Sequence, residues 1–124
     1  KELFAFLVFV SFSFLGITQD AKNVILLDLN DTTIPIATEE ARYSDLWTFE
    51  TSTGFYCAAG SSQGVEILQI EDEKLNHVAS GAGAFQGFTV IHRDFKTYQN
   101  YLYAVCDEGT STLQIFDTSL LPDS

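Results

Sequence analysis

Hydrophobic positions after residue 19 fall in short runs rich in Val, Ile, Phe, Tyr and Thr, and clusters of Gly, Ser, Asn and Asp separate these runs. Apart from a weak pattern over residues 38–46, no segment there keeps a helical spacing of apolar residues for more than two turns. Short apolar runs bounded by turn residues are typical of β-strands. The pattern therefore predicts an all-β protein.

The same pattern occurs twice along the chain. Residues 43–72 align with residues 92–119, so that Asp45 matches Asp94 at an offset of 49 residues. In each copy a strand, a tight turn, a second strand, a polar turn and a third strand follow one another. The first copy continues into a further strand over residues 75–81. The repeating unit therefore has four strands.

A partial third copy precedes both. Residues 23–35 share the form of residues 112–124: four mainly apolar residues, an Asp, a polar turn and a Pro. A repeat of about 45 residues with four strands is typical of a β-propeller blade, in which neighbouring sheets cover both faces of each sheet. We predict an all-β, β-propeller-like repeat of four-stranded antiparallel blades, and a small β-sandwich is the alternative. The units lie near residues 23–42, 43–91 and 92–124.

The inner strands of the repeat support this interpretation. Residues 55–59 and 101–106 are apolar on both faces, as strands covered on both sides are. Two blades and part of a third do not close a ring, since propellers have about four to eight blades. We therefore expect an N-terminal piece of a longer protein, whose remaining blades are its partners. Without them, an uncovered blade face and open strand edges should favour association.

The first 18 residues have the features of a secretory signal peptide. Residues 3–17 are apolar and uncharged, and a Lys stands in front of them. This run is shorter than the roughly 20 residues that a transmembrane helix needs. We expect cleavage before Gln19 and a protein that is secreted or at the extracellular surface. An uncleaved anchor or a buried strand is the alternative.

The negative net charge of the chain argues against two classes of binding partner. It has 17 acidic and 6 basic residues, which gives a formal net charge of −11. Binding of nucleic acid or of an anionic membrane needs clustered Lys and Arg, so the composition argues against both. After cleavage of the signal peptide we expect no membrane insertion.

The two cysteines occupy nearly equivalent places in the repeat. The alignment puts Cys57 on Ala104 and Ala59 on Cys106, and two residues along a strand is one full pleat. Both thiols therefore lie on the same face of equivalent strands. Adjacent blades meet front to back, so like faces do not touch, and we predict no disulfide.

The repeat residues resemble a known family. YSDLWTF (43–49), HRDFKTYQNYLYAVCDEG (92–109) and LQIFDTSLLP (113–122) are similar to the repeats of secreted LVIVD-repeat proteins of the choice-of-anchor B type. The resemblance runs from about Asn23 to the end of the chain. It implies a propeller-like fold, export, and tethering at a bacterial surface by C-terminal signals. It also implies a binding role, and it supplies no catalytic residues.

The stretch HRDFKTYQN, residues 92–100, is superficially similar to the catalytic loop of protein kinases. That loop needs an Asn about five residues after the catalytic Asp, but Asn100 is six residues after Asp94. The segment also has a counterpart, SDLWTFE, that lacks the His, the Arg and the Lys. We therefore interpret residues 92–100 as a strand and its turn rather than as a kinase loop.

Several residues near the unit starts are candidates for ligand or structural contacts. We expect Asp45 and Asp94 each to accept backbone N–H bonds from a neighbouring turn, and a ring of acidic groups that binds a cation is the alternative. His92 and Arg93 lie at a unit entrance, where Arg93 can pair with carboxylates. Trp47 either packs between blades or stacks on a sugar or a peptide.

Asp107 and Glu108 begin the acidic turn DEGTST. No acidic cluster of the chain has the DxDxDG spacing of a calcium loop, so we predict no cofactor or metal, with calcium at such a turn as the alternative. We predict no catalytic residue among these positions.

These observations predict an exported or cell-surface propeller-type module that binds or scaffolds a protein or carbohydrate ligand without catalysis of its own. The alternative is a piece of a secreted hydrolase or lyase whose active site lies on other blades. Under either function the positions to test are Asp45, Trp47, His92, Arg93, Asp94, Asp107 and Glu108.

Overall fold

The computed structural model describes residues 24–29, 43–87, 89–90 and 92–123. Within them the chain forms strands and no helix, so the all-β prediction is confirmed. The strands are β1 (Tyr43–Thr51), β2 (Gly54–Ser61), β3 (Gly64–Glu71), β4 (Lys74–Ala82), β5 (Arg93–Tyr98), β6 (Tyr101–Cys106) and β7 (Gln114–Asp117). No helix in the described part is long and apolar enough to cross a membrane. The predicted signal peptide, residues 1–18, lies outside the described residues.

The strands form two antiparallel sheets. The first sheet has the order β1-β2-β3-β4 and the second has the order β5-β6-β7. Two-residue turns connect the strands of the first sheet; Asp72 and Glu73, with φ of 51° and 63°, form the last of them. Positive φ at both central residues produces a turn whose twist matches that of antiparallel strands. Short turns of this kind place consecutive strands next to each other.

The two sheets correspond strand by strand to the two copies of the repeat. Asp45 lies in β1 and its counterpart Asp94 lies in β5. The strand predicted over residues 75–81 lies within β4, which has no counterpart in the described part of the second sheet. Two sheets form no ring, so the propeller and its division into units remain predictions.

The second sheet packs face to face on the first, with β5 next to β1 and β2. The face of the first sheet that carries Tyr56 and Ile67 contacts Phe95 and Leu102 of the second. Tyr56, Phe95 and Leu102 are completely buried. Because burial of apolar surface is the dominant favourable term in folding, this interface is the core that holds the two sheets together.

Equivalent side chains show that the two sheets stack front to back. Cys57 lies on the face of the first sheet that is turned away from the second sheet, in a separate small cluster. Its counterpart Ala104 lies on the face of the second sheet that is turned toward the first. Repeated sheets stack front to back when the same rotation and translation relates each sheet to the next.

The inner strands β2 and β6 differ in burial. Residues 56–61 of β2 are buried on both faces, which agrees with the prediction for 56–59, but Phe55 at the start of the predicted run is 58% exposed. In β6, Leu102 and Ala104 are buried, but Tyr101 and Val105 are 40% and 45% exposed. The second sheet meets the first with one face only, and no described element covers the other.

Residues 24–29 are the described part of the first predicted unit, and they form no strand. The Asp28 carboxylate accepts the backbone N–H groups of Leu75 (2.9 Å) and Leu29 (2.8 Å). These bonds hold the pKa of Asp28 below its usual range. The apolar residues around Asp28 are exposed, and among the described residues the Asp28 carboxylate ties this segment to the start of β4.

The interface predicts unequal effects at two equivalent positions. Phe95→Ala should lower the free energy of unfolding by about 3 to 5 kcal/mol, because it leaves a cavity between the sheets. Leu46 occupies the same place in the first copy but is 60% exposed, so Leu46→Ala should cost about 0.5 kcal/mol. Urea unfolding of dilute protein measures both values. Equal losses would contradict the assignment of Phe95 to the core.

Candidate functional site

A cleft of about 650 Å³ opens where β1 and β5 begin and β6 ends. Ser44, Val105 and Cys106 form part of its wall. The rest of its lining consists of predicted site residues, namely Asp45, His92, Arg93, Asp94 and Asp107. The cleft therefore brings together five of the seven positions that the sequence singled out, and Glu108 adjoins it.

Strand register explains why residues distant in sequence meet there. Arg93 at the start of β5 pairs with Cys106 at the end of β6, so both lie at the same edge of the second sheet. Front-to-back stacking puts the start of β1 beside the start of β5, and Arg93 donates its backbone N–H to Ser44 Oγ at 3.2 Å. The cleft is thus a product of the sheet interface.

The two recurring aspartates lie side by side across this interface but have different partners. Asp45 Oδ2 accepts the backbone N–H of Phe95 at 3.3 Å, which links the first sheet to the second. Asp94 is exposed and pairs with Lys96 at 3.1 Å. The Lys96 ammonium, assisted by a hydrogen bond with Asp45, holds the pKa of Asp94 below its usual range. The Asp94 carboxylate therefore stays ionised at neutral pH.

Arg93 lies beneath the cleft with its side chain inside the protein. It is 6% exposed, and its guanidinium donates to the backbone carbonyls of Ser61 at 2.7 Å and Phe85 at 2.8 Å. Gly83 leaves the space for this group, because a Cβ there would overlap the guanidinium. The sequence left Arg93 able to pair with the abundant carboxylates; its hydrogen bonds instead satisfy backbone carbonyls that the interface takes away from water.

His92, Asp107 and Glu108 form the polar rim of the cleft. His92 Nδ1 lies 3.0 Å from Glu108 Oε1 and 3.5 Å from Asp107 Oδ1. One ligand atom from each of the three lies within 4.8 Å of the others. Calcium prefers oxygen ligands alone, whereas an imidazole among carboxylates suits transition metals. The His92 and Asp107 side chains are 65% and 71% exposed, so the rim is open to solvent.

Trp47 lies outside the cleft, at the sheet interface. Its Nε1 donates to Thr97 Oγ1 at 3.0 Å, and the Lys96 ammonium lies 4.0 Å from the centre of its ring. The ring also packs against the core cluster between the sheets. Stacking on a sugar needs an open ring face, and Lys96 occupies one face of Trp47.

Both cysteines are free thiols, as predicted. Burial raises the pKa of Cys57. Cys106 is half-buried; burial, together with the Glu108 carboxylate that accepts from its thiol, raises the pKa of Cys106. The distance from Cys106 Sγ to Glu108 Oε2 is 2.9 Å. Sequence reasoning did not place Cys106 at the site, although it directly precedes Asp107.

No protein-family model, curated protein or solved structure matches the chain. The resemblance to the LVIVD-repeat proteins therefore stays a prediction, and the case for a function depends on the geometry of the described residues.

The buried position of Arg93 predicts a large loss on substitution. Arg93→Met removes both hydrogen bonds and leaves two carbonyls without donors, so the free energy of unfolding should fall by about 3 kcal/mol. Lys96→Met, on the same strand, makes the same chemical change at an exposed position and should cost less than about 1 kcal/mol. Urea unfolding of the two variants provides the comparison, and similar losses would contradict the role given to Arg93.

The Cys106–Glu108 contact predicts a pH effect. Glu108→Gln removes the negative charge beside the thiol, so the pKa of Cys106 should fall and iodoacetamide should react with it at lower pH. The measurement is the midpoint of the alkylation rate against pH, with Glu50→Gln as the control. Cys57, which is 3% exposed, should stay unreactive in the folded protein. A midpoint unchanged by Glu108→Gln would show that the carboxylate does not act on the thiol.

Proposed function

We propose that the protein is an exported, β-propeller-type binding module whose cleft takes a positively charged segment of another protein. It presents the starts of successive strands at one edge of its stacked sheets, and it binds without covalent chemistry. The observation that carries the proposal is the cleft that joins Asp45 and Asp94, the same residue of two consecutive repeats.

The stacking geometry supports the propeller. The two sheets are related front to back, and each unit contributes the start of its first strand to the same edge. Further units added by the same displacement would extend this edge and bring one more aspartate each. A ring of such units is the arrangement in which every sheet has a neighbour on both faces.

The charge of the cleft supports a cationic ligand. Carboxylates of Asp45, Asp94, Asp107 and Glu108 surround or adjoin it, in a chain of net charge −11. The Arg93 guanidinium donates its hydrogen bonds to backbone carbonyls. Lys96 pairs with Asp94 and offsets only the charge of that carboxylate. A negative cleft attracts positively charged groups and repels phosphate.

The choice of a protein ligand over a carbohydrate depends on the aromatic residues. Sugars are held by stacking on exposed aromatic rings, but no Phe, Tyr or Trp side chain is among the described residues that line the cleft, and Trp47 packs in the interface under Lys96. A polypeptide segment with Lys or Arg needs only the carboxylates and the hydrogen-bonding atoms of the rim. The proposal that the protein is exported depends on the apolar segment over residues 3–17. The form that binds the ligand is then the secreted or surface-bound protein.

The proposal predicts binding of a fluorescent pentalysine peptide at low salt. Asp107→Asn removes an exposed rim carboxylate and should weaken binding about threefold to fivefold. Glu71→Gln makes the same charge change on an exposed residue at the end of β3 and should leave the affinity almost unchanged. Fluorescence anisotropy measures both affinities, with pentaglutamate and maltohexaose as comparison probes.

Two results would contradict the proposal. Equal weakening by Asp107→Asn and Glu71→Gln would show that the peptide responds to net charge rather than to the cleft. Binding of maltohexaose without binding of pentalysine would overturn the choice of a protein ligand.

A further inference from the structure

The second sheet has one apolar face that the described residues leave uncovered. Among the outward side chains of β5, β6 and β7, the apolar ones of this open face are Tyr98, Tyr101, Tyr103, Val105 and Ile115, and Asp94, Lys96 and Asp117 share the face with them. Tyr98 and Ile115 are 67% and 57% exposed. Single exposed apolar side chains are ordinary, but a contiguous apolar face marks an interaction surface.

The first copy of the repeat shows what this face is built to contact. Tyr103 aligns with Tyr56 and Ile115 aligns with Ile67. Tyr56 is completely buried and Ile67 is 6% exposed, because the second sheet covers both. At Tyr103 and Ile115 the open face therefore repeats the half of the internal interface that the first sheet supplies, while Lys96 stands in the place of Trp47 and no described strand repeats β4.

The other half of the interface is also present twice in the chain. The outer face of the first sheet, turned away from the second, carries Leu46 and Leu68, which align with Phe95 and Phe116 of the internal interface. This outer face is only partly covered, since a 400 Å³ cleft lies over it. Its exposed large side chains are Leu46 (60%), Phe55 (58%) and Ile70 (40%).

We propose that copies of this chain associate head to tail, with the open face of one copy covered by the outer face of the first sheet of the next. The contact repeats between copies the packing of Tyr56 and Ile67 on Phe95 and Phe116, with Tyr103 and Ile115 of one copy on Leu46 and Leu68 of the next. Because it joins two different surfaces, it leaves one free surface of each kind on every dimer. Contacts of this type produce a closed ring if the rotation allows it, and an open stack otherwise.

One polar contact sets the register of this association. Within the chain, Asp45 accepts the backbone N–H of Phe95. Between copies, Asp94 takes the place of Asp45, and the N–H of Leu46 in the next copy takes the place of that of Phe95. Asp94 is exposed at the edge of the open face, and this contact replaces its solvent-exposed pairing with Lys96 and its hydrogen bond with Asp45.

Residues 24–29 adjoin the outer face without closing it. Asp28 is bonded to Leu75 at the β4 side of this face, while Leu46 and Phe55 on the β1 and β2 side stay exposed. A second copy can therefore contact β1 and β2 while this segment stays in place. The association shares Asp94 and Val105 with the cleft, but Ile115 and Leu46, the positions substituted below, do not line it.

The test uses two charged substitutions on the full chain. Ile115→Arg blocks the open face and Leu46→Arg blocks the outer face. Sedimentation equilibrium should show a mass that rises with concentration for the unsubstituted protein and a monomer for each variant alone. An equimolar mixture of the two variants should form a dimer and nothing larger, because one intact pair of surfaces remains.

Matched variants keep the result interpretable. Leu120→Arg replaces another exposed leucine, in the turn after β7, and should associate like the unsubstituted chain. Tyr98→Lys charges the open face at a second position, outside the cleft, if Ile115→Arg disturbs folding, which near-ultraviolet circular dichroism reports.

Three outcomes would overturn the proposal. The first is an unsubstituted protein that stays monomeric at every concentration. The second is a dimer of Leu46→Arg alone, which would mean that open faces pair with each other. The third is a mixture of the two variants that stays monomeric. Loss of pentalysine binding with association intact would refute the proposed ligand and leave this association standing.

Discussion

The apolar contact between the two sheets is the interaction on which the rest of the structure depends. A single antiparallel sheet of three or four strands has two faces, and these sequences make both faces apolar. Phe95 and Leu102 cover the side of the first sheet that carries Tyr56 and Ile67. The strands and their turns are local features, but their stable burial requires that one sheet lie on the other.

The cleft is a consequence of that stacking. When the sheets pack front to back, the first strands of both units begin at one edge, and their aspartates meet there. Arg93 satisfies two carbonyls under this edge, so its charge stays inside while the carboxylates line the rim. The edge and the faces therefore differ in chemistry: the edge carries carboxylates, and the faces carry apolar side chains.

Much of the fold could be predicted, because strand spacing, turn residues and the repeat are all visible over short stretches of sequence. The strand over residues 75–81, the double burial of β2 and the free thiols agree with those predictions. The role of Arg93 could not be predicted in the same way. An Arg among acidic residues suggests a surface ion pair, whereas its partners Ser61 and Phe85 lie 32 and 8 residues away and offer backbone carbonyls.

Tyr56 and Tyr103 show which features the sequence determines and which only the tertiary structure decides. Both occupy the same position of the repeat, and their spacing in the sequence is enough to put each on an inner strand with its ring on the same face. Their environments differ, since Tyr56 is completely buried and Tyr103 is half-exposed. Strand, turn and face depend on neighbours a few residues away, so the sequence specifies them. Burial depends on which sheet lies opposite, and that is set by contacts between residues about fifty positions apart, which exist only in the folded protein.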